Sequence, residues 1–400
     1  MTPSNWQAKS VGDVCNFVNG NGFKSSEWSE RGLPIIRIQN LNGSNEFNYF
    51  EGEIKKKWIV KPGDILFAWA GTKGVSFGAK LWNGPKGVLN QHIFRVEPAF
   101  DIDHKWLYLA LLRVTQKVEN MAHGFKATLL HVQKSDVTEQ VLQVPPLPEQ
   151  KKIAQILSTW DKAISTTEQL LASSQQQKKA LMQQLLTGKK RLPGFSGEWE
   201  KHTLGEIGKT YTGLSGKTKE HFGKGKHYIP YMNVFSNSRI DVKKLDRVEI
   251  ANGEKQYKAQ YGDIFFTTSS ETPDEVGMSS VLLDEIEDTY LNSFCFGYRL
   301  NDFRTMLPQF AKHLLRSEDI RRHISALGQG ATRYNLSKNQ LMKLELQLPM
   351  AEEQNSIASV LDIADSEIHD LNRRIDCLRQ EKKALMQQLL TGKKRVTIEE

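Results

Sequence analysis

Cysteine is scarce: Cys15, Cys295 and Cys377 lie far apart and form no CxxC pair. That spacing supports neither a disulfide scaffold nor a zinc finger. The histidines show no HxxxH or HExxH spacing for a metal. No apolar run reaches the ~18 residues of a membrane span. The opening "MTPSNWQAKS" lacks a charged-then-apolar signal pattern, so a reducing cytoplasm is the expected location. No GxGxxG phosphate turn is present. The one Pro-Pro, in "QVPPLPEQ", has no aromatic after it, unlike the loop that holds a flipped adenine for methylation. "GLSGKTKE" at Gly213–Glu220 has Tyr211 where a phosphate loop needs glycine, and reads as an ordinary loop. In "SSETPDEVG", Glu271, Asp274 and Glu275 lack the lysine that a metal-dependent nuclease would place after them. No Cys–His or Ser–His pair stands out. The sequence offers binding surface and no reaction centre.

What is present suits a folded, modestly basic protein. Apolar residues make up 39% of 400, net charge is +8 and the pI is about 9.1. The length favours two or three domains, and the charge favours polyanion partners, nucleic acid first. The strongest feature is a repeat. "KKALMQQLLTGKKR" occurs at Lys178–Arg191 and again at Lys382–Arg395, an offset of 382 − 178 = 204. At the same offset Glu149-Gln150 matches Glu353-Gln354, Ile153-Ala154 matches Ile357-Ala358, and Leu157, Asp161 and Ile164 match Leu361, Asp365 and Ile368.

Each copy has the pattern of a long helix with a heptad seam. In the second, Ile357, Ala364, Leu371, Leu378 and Leu385 form one row, and Leu361, Ile368, Ile375 and Leu389 the other, with Lys382 interrupting it. The first keeps the frame with Ile153, Trp160 and Leu181 in one row and Leu157, Ile164, Leu171 and Leu185 in the other; Thr167 and Ser174 are polar seam positions. Pro148 and Pro349 are expected just before the two helices, where proline is tolerated, and Gly188 and Gly392 sit where a C-terminal glycine ends a helix. The shared frame predicts that the two helices pair.

The segments before the helices are looser copies. "LPIIRIQNL" matches "IPYMNVFSN", "PGDILFAWAGT" matches "YGDIFFTTSSE", "NQHIFRVEP" matches "NSFCFGYRL", and "GFKATLLHV" matches "GQGATRYNL". β-type runs are expected at Pro34–Ile38, Ile65–Ala68, Ile229–Val234 and Ile264–Thr267, and helices at His104–Met121 and Phe310–Leu327. The fold class is α+β, globule–helix–globule–helix. Two mixed α/β domains, residues 1–147 and 192–348, are joined by a central helix, 148–191, and a C-terminal helix, 349–400. A pseudo-twofold repeat follows, with the helices as an antiparallel coiled coil.

With "PLPEQKKIAQIL" opening the helix, "KKALMQQLLTGKKR" closing it before "LPGFSGEW", and "GDILF" and "GAT" in the globules, the chain resembles the specificity subunit of type I restriction–modification systems. The resemblance covers nearly the whole chain. It implies that each globule is a target recognition domain reading one half of a split, asymmetric DNA site. It also implies that the helices set the half-site spacing and dock two methyltransferase subunits, which the endonuclease/translocase subunit then joins. No cofactor is then expected in this chain: S-adenosylmethionine belongs to the methyltransferase partner, ATP and Mg to the endonuclease partner. The rivals are a self-contained DNA methyltransferase or nuclease, and a coiled-coil scaffold that does not bind DNA.

Arg and Lys hold phosphates, while Arg, Asn and Gln read base edges. Loop positions give Arg37, Gln39, Asn40, Trp69, Lys73, Asn90, Gln91, Lys126 and Thr128 as DNA-binding candidates in the first globule. In the second they are Asn233, Ser269, Ser270, Asn292, Thr332, Arg333, Tyr334 and Asn335. No catalytic or metal residue is assigned.

Overall fold

In a computed structural model, residues 5–121, 129–330 and 332–398 are described. The chain divides into two compact units: residues 1–167 with 374–400, and residues 168–373. Four helices organise them: α1 (His104–Met121), α2 (Leu147–Leu185), α3 (Pro308–Leu314) and α4 (Ala351–Leu389). No helix among the described residues is long and apolar enough to cross a membrane.

In the first unit, β1 (Cys15–Asn19), β2 (Ile65–Ala68), β3 (Gly78–Leu81) and β4 (Ile93–Pro98) form an antiparallel sheet of order β1-β4-β2-β3. β2 is buried along its whole length, so it is a continuous apolar run without alternation. α1 lays Trp106, Leu107, Leu111 and Val114 into the core that contains Phe17, Phe67 and Val96. A second sheet carries the parallel pair Leu33–Ile36 and Gly87–Leu89, with Ile36 opposite Leu89.

In the second unit, β5 (Gly208–Thr212), β6 (Ile264–Thr267), β7 (Ser279–Val281) and β8 (Cys295–Leu300) pair in the order β5-β8-β6-β7. Phe266, Phe296, Phe310 and Leu314 fill its core. Its second sheet has the parallel pair Phe222–Ile229 and Thr289–Leu291, with Ile229 opposite Leu291.

Three expected elements differ. Strand Leu33–Ile36 stops before Arg37, where a short helix Ile38–Leu41 begins. The run Ile229–Val234 is strand only to Ile229, and Tyr231–Ser236 is helical. Pro230 divides them, because its missing N–H costs nothing at a helix start. The stretch Phe310–Leu327 is two helices, α3 and Glu318–Ala326, because Ser317 turns the chain and caps the second at the Ile320 N–H.

α2 and α4 each run 39 residues. Both end as the glycines suggest: Gly188 and Gly392 take φ of 68° and 71°, and Lys190 and Lys394 N–H groups reach back to the Gln184 and Gln388 carbonyls. Within the first unit, Ile153 and Leu157 of α2 share a core with Leu385, Leu389 and Leu390. Within the second, Leu181, Leu185 and Leu186 share one with Ile357 and Leu361 of α4. The remaining seam residues, Trp160, Ile164, Leu171, Ile368, Leu371, Ile375 and Leu378, are buried or half-buried. The polar seam positions are buried too. The Thr167 hydroxyl donates to the Ala163 carbonyl, and Ser174 donates to Glu367.

Candidate nucleic-acid interface

Parallel pairing puts two loops side by side in each unit, because both strands end at the same edge. In the first unit the Asn90 N–H donates to the Ile36 carbonyl, joining the loop after Leu89 to the Arg37 turn. Asn40 is buried and fixes that turn: its Oδ1 accepts the Arg37 N–H at 2.9 Å, and its Nδ2 donates to the Ser44 and Glu46 carbonyls. Arg37 is half-buried with its guanidinium 5.0 Å from the Trp28 ring centre. Gln39, Lys73 and Gln91 are exposed. Trp69 stands between His92 and His131, at ring distances of 5.3 and 4.6 Å, and its indole N–H donates to the Gln91 carbonyl. Lys126 and Thr128 lie outside the described residues.

The second unit builds the same edge with other side chains. Asn292 is buried and donates through both its backbone N–H and Nδ2 to the Ile229 carbonyl. Asn233, also buried, holds the Asp241 and Lys244 carbonyls as Asn40 holds its turn. These four asparagines (Asn40, Asn90, Asn233, Asn292) shape loops from within. Ser269 and Ser270 pair with Asn335 and Tyr334 in a small sheet. The Ser269 carbonyl accepts the Tyr231 hydroxyl, its own hydroxyl accepts Arg333 Nε at 3.1 Å, and Ser270 donates to Glu275. Thr332, Arg333 and Asn335 are exposed, and Tyr334 is half-buried. The structure therefore gathers Ser269, Ser270, Arg333, Tyr334 and Asn335 at one place, and Trp69 with Gln91 at the matching place.

Residues beyond the polar candidates complete both edges. Tyr231 stacks with Phe235 at 5.8 Å, and Met232 and Phe294 are 59% and 61% exposed. Their signal in the sequence is an aromatic two residues after each loop asparagine, His92 in "NQH" and Phe294 in "NSF". Arg316 was not anticipated either. It donates to the Val234, Phe235, Asn237 and Ser279 carbonyls and so seats the helix Tyr231–Ser236. Burial, with help from Arg321, pushes its guanidinium down to about 10.

The repeated helix phrases work as locks. Glu149 and Glu353 are buried, at 2% and 0% exposed, beside buried Gln150 and Gln354. Gln150 accepts the Asp103 N–H and donates to the Asp101 and Pro145 carbonyls; Gln354 does the same with Leu307, Thr305 and Pro349. Each glutamine thus ties its helix start to a globule loop. Arg395 pairs with Glu149 in the first unit, where Trp6 Nε1 also donates at 3.1 Å. In the second unit Arg191 takes Glu353 bidentately at 2.6 Å, which holds its guanidinium above the ordinary range. Lys382 pairs with Asp161, and Lys178 with Asp365. Lysine on the seam is therefore half of an ion pair.

One place could be read as a metal centre. Ligand atoms of His313, Asp362 and Asp365 lie within 4.8 Å of one another. Lys312 already bonds Asp362 and stands 4.0 Å from Asp365, so an ammonium supplies the positive charge. Burial works upward on the Asp362 carboxyl, but hydrogen bonds from His313 and Lys312 outweigh it and bring it to about 2. Burial moves the His313 imidazole down, which favours its neutral form as donor to Asp362.

The sequence profile described as "Type I restriction modification DNA specificity domain" matches residues 3–173 and 196–376. The MjaVIII specificity subunit of Methanocaldococcus jannaschii is 24% identical over 408 residues, covering 98% of this chain and 94% of that protein. The EcoBI specificity subunit of Escherichia coli is 31% identical over 166 residues, covering 41% of this chain and about a third (34%) of that protein. Among solved structures, the type I restriction–modification S subunit from M. genitalium matches with a TM-score of 0.57 at 16% identity, over 99% of this chain and 100% of that one.

Proposed function

Since the chain belongs to the family of type I restriction–modification DNA specificity domains, we propose that it selects the DNA sequence for a methyltransferase and restriction complex and performs no chemistry itself. Residues 1–147 and 192–348 act as target recognition domains, each reading one half of a split, asymmetric site. Residues 148–191 and 349–400 form an antiparallel coiled coil, the core of a pseudo-twofold internal repeat. Each repeat docks one methyltransferase subunit, and the endonuclease/translocase subunit joins through these. S-adenosylmethionine binds in the methyltransferase, and ATP with Mg in the endonuclease. The complex works in the cytoplasm.

One observation carries this reading. Two parallel strands in each unit release adjoining loops at one edge, carrying Gln91 and His92 in one case and Met232 and Phe294 in the other, with Trp69 bonded to the first edge and Ser269, which holds Arg333, bonded to the second. Equivalent scaffolds with unlike side chains suit two readers of unlike half-sites. The repeated Glu–Arg and Asp–Lys locks are alike in both copies, as equivalent docking partners would require.

The test is methyl transfer to DNA from labelled S-adenosylmethionine. The chain alone should transfer nothing. Activity should appear with methyltransferase subunits added, in a complex whose mass gives two of them per chain. Transfer by the chain alone, or a one-to-one active complex, would overturn the proposal.

A further inference from the structure

We infer that Arg333 reads a guanine from the major groove, within the half-site met by the second unit. The inference rests on the DNA-recognition role proposed above and adds the chemistry of one contact.

Arg333 is exposed, yet its guanidinium is aimed. Its Nε donates to the Ser269 hydroxyl at 3.1 Å. Ser269 is itself fixed, because it pairs with Asn335 in the sheet and its carbonyl takes the Tyr231 hydroxyl. With Nε occupied, the two terminal nitrogens form the remaining fork, and none of their hydrogen bonds or ion pairs is seen among the described residues. Two parallel N–H donors match the O6 and N7 acceptors of guanine, whereas adenine offers one acceptor and one donor there.

A phosphate would also accept that fork, so the surroundings decide. Arg333 lines a cavity of about 460 Å³ with Tyr231, Met232, Phe235 and Phe294. Glu271 and Glu275 line the same cavity. Two carboxylates repel a phosphate, and an apolar rim does not solvate one. Base edges suit both features: carboxylates accept the amino group of cytosine, the partner of guanine, and exposed Met232 and Phe294 suit the thymine methyl. At the 204 offset the first unit has Leu129 in place of Arg333. The contact is therefore specific to one half-site.

The test is methylome sequencing of a host carrying the complete system with wild-type chain, Arg333→Ala or Arg333→Gln. The wild type should show a split site whose second half contains a G·C pair. In Arg333→Ala, discrimination at one such pair should fall roughly 10–100-fold while the other half-site and the gap stay unchanged. Arg333→Gln should shift the preference there toward adenine. An unchanged methylome would overturn the inference. So would a uniform loss across all positions, with a binding salt slope lower by about one, which marks a phosphate contact. Either outcome leaves the two-reader proposal standing. That proposal fails separately if the wild-type system has no split site.

Discussion

Exchanging residues 1–145 for the matching segment of a relative replaces one half of the methylated sequence and leaves the other half as it was. The boundary falls in "VPPLPEQ", where divergent sequence gives way to the repeated helix. The exchanged piece carries most of its core, with Phe17, Phe67, Val96 and Trp106 inside it, and completes it against Ile153, Leu157 and Leu389 of the retained helices. It also brings both loops of the first edge, Arg37–Asn40 and Asn90–His92. What must still fit is the junction. Gln150 grips the Asp101 and Pro145 carbonyls and the Asp103 N–H, all backbone groups, so a relative with other side chains there can still be held. Methylome sequencing of the chimera reads the result. A change in both half-sites would show that the two domains do not read independently.

Arg316→Ala costs about 3–5 kcal/mol of stability and abolishes selection at the second half-site alone. Arg316 donates to four backbone carbonyls, three of them at the end of the helix Tyr231–Ser236. Carbonyls at a helix end lack partners within the helix, and each buried acceptor left without a donor costs about 1–3 kcal/mol. Full additivity is not expected, because water enters the space left by the side chain. The same loss releases Tyr231, whose hydroxyl holds the Ser269 carbonyl, and Phe235, which stacks on Tyr231. Arg316→Lys should recover only part of the stability, since an ammonium cannot span the fan of carbonyls that a guanidinium reaches. Urea unfolding and methylome sequencing test both halves of the statement. Wild-type stability in Arg316→Ala, or an intact second half-site, would contradict it.

The helices were legible because their signal is repeated and periodic. Heptad rows and the closing Gly188 and Gly392 agree on the same ends, and Pro349 precedes its helix as expected, whereas Pro148 falls inside the first turn of α2, where its missing N–H has no helical partner to lose. The break inside Phe310–Leu327 was not, since the apolar spacing continues across it and only Ser317 marks a new cap. The strand expected through Val234 failed at Pro230 for a related reason: a short apolar run does not distinguish strand from helix. Candidate residues divided by what a loop needs. Gln39, Lys73, Gln91 and Arg333 stand at the surface, whereas Asn40, Asn90, Asn233 and Asn292 are turned inward to satisfy backbone groups. Asparagine suits both duties, and sequence alone does not separate them. The buried Glu–Gln pairs show why "EQ" and the distant "GKKR" recur together: Glu353 and Arg191 meet only once the chain is folded.

We propose that one chain carries two different readers of DNA. The most direct test is the methylome of a host with the intact system, compared with the same host lacking this chain. The expected methylated sequence has two unlike specific segments around an unread gap and is lost entirely without the chain. A continuous or palindromic sequence, or one that persists without the chain, would contradict it.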